Sequence, residues 1–327
     1  MTATETAGND SGRVLDEART LAGDYGFGEA LDLRPLPEGY ANTNYALETS
    51  TGTFLYRICR QKSPLEIAAE LSVLEHLESR GFKAAFAIRR TDGSAVSSTP
   101  SGPVVLYQYI EGDTPELSPQ AAAETARALG ELHKIEPPPG FDRLNFVQLK
   151  DSQELASRFG GDVHGGTVHG DRTILGRFLE QTAILREMLG DEELPRGLVH
   201  ADLFPENTIF QGGKLAAVID FEECCIDSFL FDVGTAMNGF CFVDNRLEPE
   251  LLGCFLREYD STRSLDESEK RLLPAAIRWG AHGQICWHLD LLSARDYPRS
   301  SERTGELLTR LESLEELDLP ALCTLKE

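Results

Sequence analysis

The chain has 327 residues, 41% hydrophobic and 26% charged, enough to bury a core as one large domain or two. A formal net charge of −23 argues against a nucleic-acid binder, which shows a basic stripe, and against adhesion to anionic lipid. No apolar run is long enough for a membrane span, the N-terminus lacks the basic patch and apolar core of a secretory signal, and seven cysteines without a C-x-x-C pair read as reduced thiols in the cytoplasm.

Residues 1–12 read as a short disordered tail and Val14 to Tyr25 as an amphipathic helix. Leu31 to Leu36 is the first expected strand. A polar turn from Pro37 to Asn44 follows, and Tyr45 to Glu48 returns as a strand. Such a strand–turn–strand can lay backbone N–H groups over phosphates. Thr53 to Cys59 alternates as a strand, with Arg57 on the face of Leu55 and Cys59. Ser63-Pro64-Leu65-Glu66 is a capping box with proline at the first helical position. Ile67, Leu71, Leu74 and Leu77 then form an apolar stripe that contains Glu70. A carboxylate on a buried face needs a partner, and Arg57 is the candidate; the other reading places Glu70 at a wet edge of the stripe. Gly81 ends this helix. Phe86 to Arg89 and Pro103 to Ile110 read as strands around an Asp92-Gly93 turn, and Glu111 to Pro115 breaks the second.

Ser118-Pro119 opens an Ala-rich helix through Lys134, in which His133 reads as a packed histidine. Pro137 to Gly140 stops it. Phe141 to Asp171 has no regular pattern, and His164 and His169 there read as solvated rather than as a metal site. Thr173 to Leu189 is a helix whose apolar face carries Ile174, Phe178, Ile184, Leu185 and Leu189.

The stretch from Leu198 to Asp232 carries the chemistry. His200 and Asp202 follow a short apolar strand. Thr208 to Phe210 and Leu215 to Ile219 read as a hairpin turned by Gln211-Gly212-Gly213-Lys214. The hairpin brings Asp202 and Asn207 close to Asp220. One carboxylate can then orient an attacking hydroxyl and accept its proton, while an amide oxygen and a second carboxylate hold Mg²⁺. The alternative reading is that Asp202 and Asn207 merely cap a turn. H-A-D-L-F-P-E-N followed by I-D-F resembles the catalytic and metal-binding segments of the protein-kinase-like small-molecule kinases, which include aminoglycoside, choline and homoserine kinases. The run L-P-R-G-L-V-H-A-D-L-F-P-E-N is most similar to homoserine kinases of that fold.

The resemblance implies an α+β, two-lobed protein-kinase-like fold. Residues 13–110 would form a nucleotide-binding lobe with a small antiparallel sheet, and residues 111–327 a larger, mostly helical catalytic and substrate lobe. It implies Asp202 as base and Asn207 and Asp220 as metal ligands. It also implies that Arg57 contacts the ATP phosphates and pairs with Glu70, that Asn42 and Thr43 lie in the nucleotide-covering loop, and that adenine docks on backbone near Gln108 and Ile110. Asp232 would position the catalytic loop; an N-cap is the other reading. Helices are expected around Glu248 to Tyr259, Glu267 to Leu289 and Glu302 to Leu314. The step from Asp220 to Asp232 leaves no room for an activation segment, so, given the resemblance, the substrate is small and hydroxylated. Homoserine is the favoured substrate, with Arg278 for its carboxylate and Glu223 or Asp227 for its ammonium. Glu222 and Glu223 depart from homoserine kinases, which keeps aminoglycosides, choline and other amino alcohols as alternatives. A nucleotide-binding pseudokinase is a third reading, disfavoured by the intact Asp202, Asn207 and Asp220.

Overall fold

The computed structural model describes residues 3–36, 42–145, 172–295 and 298–324. The chain divides into two units, Met1–Glu111 and Gly112–Glu327.

The first unit is built on an antiparallel five-stranded sheet in the order β1-β2-β3-β5-β4. Its strands are β1 (Ala30–Pro35), β2 (Asn42–Thr49), β3 (Gly52–Cys59), β4 (Val96–Thr99) and β5 (Gly102–Gln108). Side chains alternate across the sheet, so Tyr45 and Leu47, Tyr56 and Ile58, and Val104 and Leu106 share one face. Helix α1 (Ala3–Tyr25) covers that face with Val14, Ala18, Leu21, Ala22 and Tyr25. Its start at Ala3 takes in most of the stretch read as a tail; Ala3, Glu5 and Ala7 are good helix formers. On the other face, α2 (Pro64–Ser79) buries Ile67, Glu70, Val73, Leu74 and Leu77. Its capping box is formed in both directions: Glu66 N donates to Ser63 Oγ, and Ser63 N to Glu66 Oε2.

One strand assignment is corrected. Phe86 to Arg89 makes only an isolated bridge, Ala87 to Tyr107, whereas Val96–Thr99 forms β4. Both segments use the same edge of β5. β4 pairs with Gly102 to Val105, and the stretch around Ala87 takes the remainder through Ile88 N to Leu106 O and Gln108 N to Phe86 O. Asn42 and Thr43 also differ from expectation. They lie in β2, paired with Cys59 and Ile58, rather than in a turn. Residues 37–41 of that loop lie outside the described residues.

The second unit is mostly helical: α3 (Pro119–His133), α4 (Arg172–Leu189), α5 (Phe229–Phe240), α6 (Pro249–Thr262), α7 (Glu267–Arg295), α8 (Pro298–Ser313) and the short α9 (Leu319–Leu322). Short strand pairs interrupt the helices: β6 (Arg196–Val199) with β9 (Cys225–Ser228), β7 (Thr208–Gln211) with β8 (Lys214–Val218), and β10 (Phe242–Val243) with β11 (Arg246–Leu247). Helix α5 is buried on every side, so it is apolar all round apart from a few bonded polar groups. It crosses α7 at two glycines. A Cβ on Gly234 would overlap Ala276 O, and one on Gly280 would overlap the backbone of Gly234 and Thr235. His164 and His169 lie outside the described residues.

Candidate active site

Two antiparallel strand pairs assemble the site. β6 pairs with β9 so that Val199 lies opposite Cys225, which brings together the loop leaving β6 and the segment entering β9. In the β7–β8 hairpin Thr208 lies opposite Val218, so the next residues outward, Asn207 and Ile219, are neighbours, joined by Ile219 N to Asn207 O at 2.9 Å. Gly212 and Gly213, both at positive φ, make the tight turn that sets this register. Asp202, Asn207 and Asp220 are thereby brought to the open end of one hairpin.

The side chains are held in order. Asn207 donates its Nδ2 to Asp202 O at 2.7 Å and to Asp202 Oδ2 at 2.8 Å. With the amide nitrogen committed to Asp202, the amide oxygen is the atom that can face a cation. Gln284 on α7 donates its Nε2 to the other carboxylate oxygen, Asp202 Oδ1, at 3.1 Å. Burial pushes the Asp202 carboxyl well above its usual range, and the charges of Asp220, Glu223 and Glu206 push it further, against the bond from Gln284. Asp220 sits at φ 66°, ψ 62°. This left-handed conformation costs a non-glycine residue about 1–2 kcal/mol, with aspartate among the side chains that tolerate it best. Ala201 is also left-handed, at φ 68°. Both residues adjoin the convergence of acidic groups, where such strain is commonly retained.

Asp232 holds the strained loop. It is not an N-cap: Ser228 caps α5, and Asp232 lies in the first turn with its side chain fully buried. Its Oδ2 accepts from His200 N at 2.7 Å and its Oδ1 from Ala201 N at 2.8 Å, fixing two consecutive peptide groups just before Asp202. His133 Nε2 is 3.1 Å from Asp232 Oδ2, and His133 Nδ1 is 2.7 Å from Tyr259 Oη. Burial lowers the His133 pKa against the pull of Asp232, so the ring is neutral: Nε2 donates to the carboxylate and Nδ1 accepts from the tyrosine hydroxyl. Burial would raise the Asp232 carboxyl, but the bonds from the His133 ring and from His200 N hold it below the usual range. His200, also lowered by burial, donates Nε2–H to Ile219 O at 3.0 Å and accepts Asp202 N at Nδ1. One buried carboxylate thus ties α3, α5 and the loop together.

The first unit brings Arg57 and Glu70 together, at 3.7 Å with both side chains 6% exposed. A buried pair is costly unless its remaining groups are bonded. Here Tyr107 Oη donates to Glu70 Oε1 at 3.1 Å, Arg57 Nε donates to Asn44 Oδ1 at 3.2 Å, and the guanidinium lies 5.2 Å from the Tyr107 ring centre. Thr43 Oγ1 accepts from Arg60 Nε at 2.7 Å, and Asn42 is buried. Gln108 is the last residue of β5, and Ile110 lies beyond it in irregular chain.

The expected substrate residues are dispersed. Arg278 is buried between α4 and α8, where its Nη1 donates to Gln181 Oε1 at 3.0 Å and to Leu311 O at 3.1 Å. It is not brought to Asp202. Gln284 is, because it lies about 9 Å further along α7 and about 120° round it. Asp227 accepts from Asn145 Nδ2 and Ser228 N, both at 2.7 Å, and serves the β6–β9 junction. Glu223 is bonded by Arg143 at 3.1 Å, and its charge acts on Asp202. Sequence reading missed Gln284. Its signal is a neutral amide within the apolar run around Ile285 and Leu289.

Residues 32–267 match the model of the phosphotransferase enzyme family. The chain is 31% identical to a homoserine kinase of Rhodopseudomonas palustris (strain BisA53) over 265 residues, 79% of this chain and 78% of the relative. It is 30% identical to a homoserine kinase of Nitrobacter winogradskyi over 261 residues, again 79% of this chain and 78% of the relative. Among solved structures, a microcompartment-associated aminopropanol kinase superposes with a TM-score of 0.68, covering 95% of this chain and 100% of the other at 20% identity, a likeness of fold alone. A two-part kinase-like fold, the convergence of Asp202, Asn207 and Asp220, and a family match across most of the sequence have one common ground: the chain belongs to the phosphotransferase enzyme family.

Proposed function

We propose that the protein is a homoserine kinase, which transfers the γ-phosphoryl group of ATP to the substrate hydroxyl and uses Mg²⁺ as its divalent cation. The observation that carries the phosphotransfer reading is the convergence of Asp202, Asn207 and Asp220, with Asp232 locking the loop behind them. The likeness to curated homoserine kinases supports the substrate. The donor set fits a hard cation: one carboxylate, one oriented amide oxygen and an excess of nearby negative charge. When bound, ATP and the cation supply the transferable phosphoryl group and neutralise the charge that develops on it.

In this reading Asp202 accepts the hydroxyl proton, and Asn207 and Gln284 hold one carboxylate oxygen each. Arg57, steadied by Glu70, is assigned to the nucleotide phosphates. Asn42 and Thr43, Gln108 and Ile110 are assigned to nucleotide contacts by resemblance. The free thiols support a reducing compartment, the cytoplasm, and no helix among the described residues is long and apolar enough to cross a membrane. A second reading, an amino-alcohol or aminoglycoside acceptor, is favoured by the charges of Glu206 and Glu223 beside Asp202, which suit a cationic substrate.

Coupled measurement of ADP release over homoserine, choline, ethanolamine and aminoglycosides decides between them. Homoserine should give the highest kcat/KM; turnover of a cationic alcohol without any of homoserine would overturn the assignment. Gln284→Leu should lower kcat by about tenfold or more, the usual worth of a hydrogen bond to a charged group, with little change in melting temperature. Unchanged kcat in that variant would remove Gln284 from the positioning of the base.

A further inference from the structure

We propose that Arg310, with Arg303 and Glu306 beside it on α8, forms the subsite for the carboxylate and ammonium of an amino-acid substrate. The inference rests on the homoserine reading above and supplies the carboxylate partner that Arg278 does not.

Arg310 is partly buried and bonded only to neutral acceptors. Its Nη1 donates to Asn238 O at 2.7 Å and its Nε to Asn245 Oδ1 at 2.8 Å, with the guanidinium 5.2 Å from the Phe242 ring centre. Among the described residues no carboxylate bonds it, whereas Arg143, Arg177 and Arg263 in the same unit each bond a glutamate. A partly buried cation without a counter-ion is costly, and an arriving anion removes that cost. Burial pulls the Arg310 pKa down to about 10, and the charge of Arg303 adds to this, against Glu306 and Glu206.

Its location joins it to the catalytic loop. The carbonyl it grips belongs to Asn238, next to Gly239. A Cβ on Gly239 would lie 3.1 Å from Phe204 Cα and 3.2 Å from Leu203 O, so α5 backbone packs directly on the residues that follow Asp202. The charge of Glu206 acts on both Asp202 and Arg310. Arg278 also lacks a carboxylate bond, but both of its acceptors are neutral and the one acid that acts on it is Glu315, in the short turn that follows α8.

The chemistry matches a zwitterion. Positions 303, 306 and 310 share one helix face. Arg303 Nη1 bonds Glu306 Oε2 at 2.9 Å, so the face presents two cations and one anion. A carboxylate takes the guanidinium donors and an ammonium takes Glu306. Choline and ethanolamine have no carboxylate to offer and would leave Arg310 uncompensated, which is discrimination by an unmet charge. These residues lie beyond the segment matched by the family model, residues 32–267, where substrate choice can vary without touching the shared chemistry.

The test uses the full chain, with homoserine and with 3-aminopropan-1-ol, which is homoserine without its carboxylate. Arg310→Gln should raise the homoserine KM by about 10- to 100-fold. The KM for ATP and the kcat/KM for the amino alcohol should stay within about threefold, and Arg310→Lys should recover part of the loss. Arg303→Gln should shift the same homoserine KM by a smaller factor, which keeps the test open if Arg310→Gln folds poorly. A fall shared equally by both acceptors, or an unchanged homoserine KM, would mean that Arg310 only anchors the β10–β11 turn, and the inference fails. A wild type that turns over the amino alcohol but no homoserine would overturn the functional reading, and this inference with it.

Discussion

Asp220→Ala is expected to abolish metal-dependent turnover, lowering kcat/KM by about three orders of magnitude or more. Removing a direct metal ligand forfeits several kcal/mol of charge stabilisation at the transferring group, and each ~1.4 kcal/mol is a factor of ten. The loss is expected to lie in chemistry rather than folding. The left-handed backbone at Asp220 costs alanine little more than it costs aspartate, and the β7–β8 register does not depend on the side chain. Titration with Mg²⁺ separates the two proposed ligands. Asn207→Ala keeps the carboxylate and should recover part of its rate at raised Mg²⁺, while Asp220→Ala should not recover. Normal rates and identical Mg²⁺ dependence in both variants would exclude them as ligands.

Asp202→Asn should lower kcat by about 10²–10⁴, the usual contribution of a positioned general base. The KM for ATP should stay nearly constant. The fold is expected to survive because the local network can be rewired. Asp202 now accepts from Asn207 on one oxygen and from Gln284 on the other. An asparagine keeps one acceptor, and rotation of the Gln284 amide presents an oxygen to the new nitrogen. Asn207 also keeps its bond to the backbone carbonyl of residue 202. Matching circular dichroism and nucleotide affinity with a collapsed kcat would support the assignment. An active variant would remove Asp202 from proton transfer.

What was legible in the sequence was local chemistry. Ser63 and Glu66 declare a helix start, two glycines declare the hairpin that joins Asn207 to Asp220, and Glu70 in an apolar stripe calls for the cation that β3 supplies. What was not legible was set by tertiary competition. Phe86 to Arg89 and Val96 to Thr99 compete for one edge of β5, and residue preference cannot award it. Helix α7 is buried over most of its described surface, so its pattern has no polar side from which to read orientation. Arg278 and Gln284 were equally available on paper. Packing turned the amide to Asp202 and sent the guanidinium to Gln181 and Leu311. Arg310 escaped for a related reason: its neutral partners, Asn238 and Asn245, are remote in sequence.

The crossing of α5 and α7 at Gly234 and Gly280 constrains how this enzyme can change over evolutionary time. Most packing faults can be offset by trimming the neighbour that is pressed. Here the atoms that a Cβ would strike are backbone, the Ala276 carbonyl for Gly234 and the Gly234–Thr235 peptide for Gly280, so a larger residue at either position finds no second-site remedy across the contact. The crossing is therefore a one-way constraint. Helix α5 carries the Asp232 anchor and α7 the Gln284 contact, so the alignment of Asp202 depends on the absence of a side chain at these two positions.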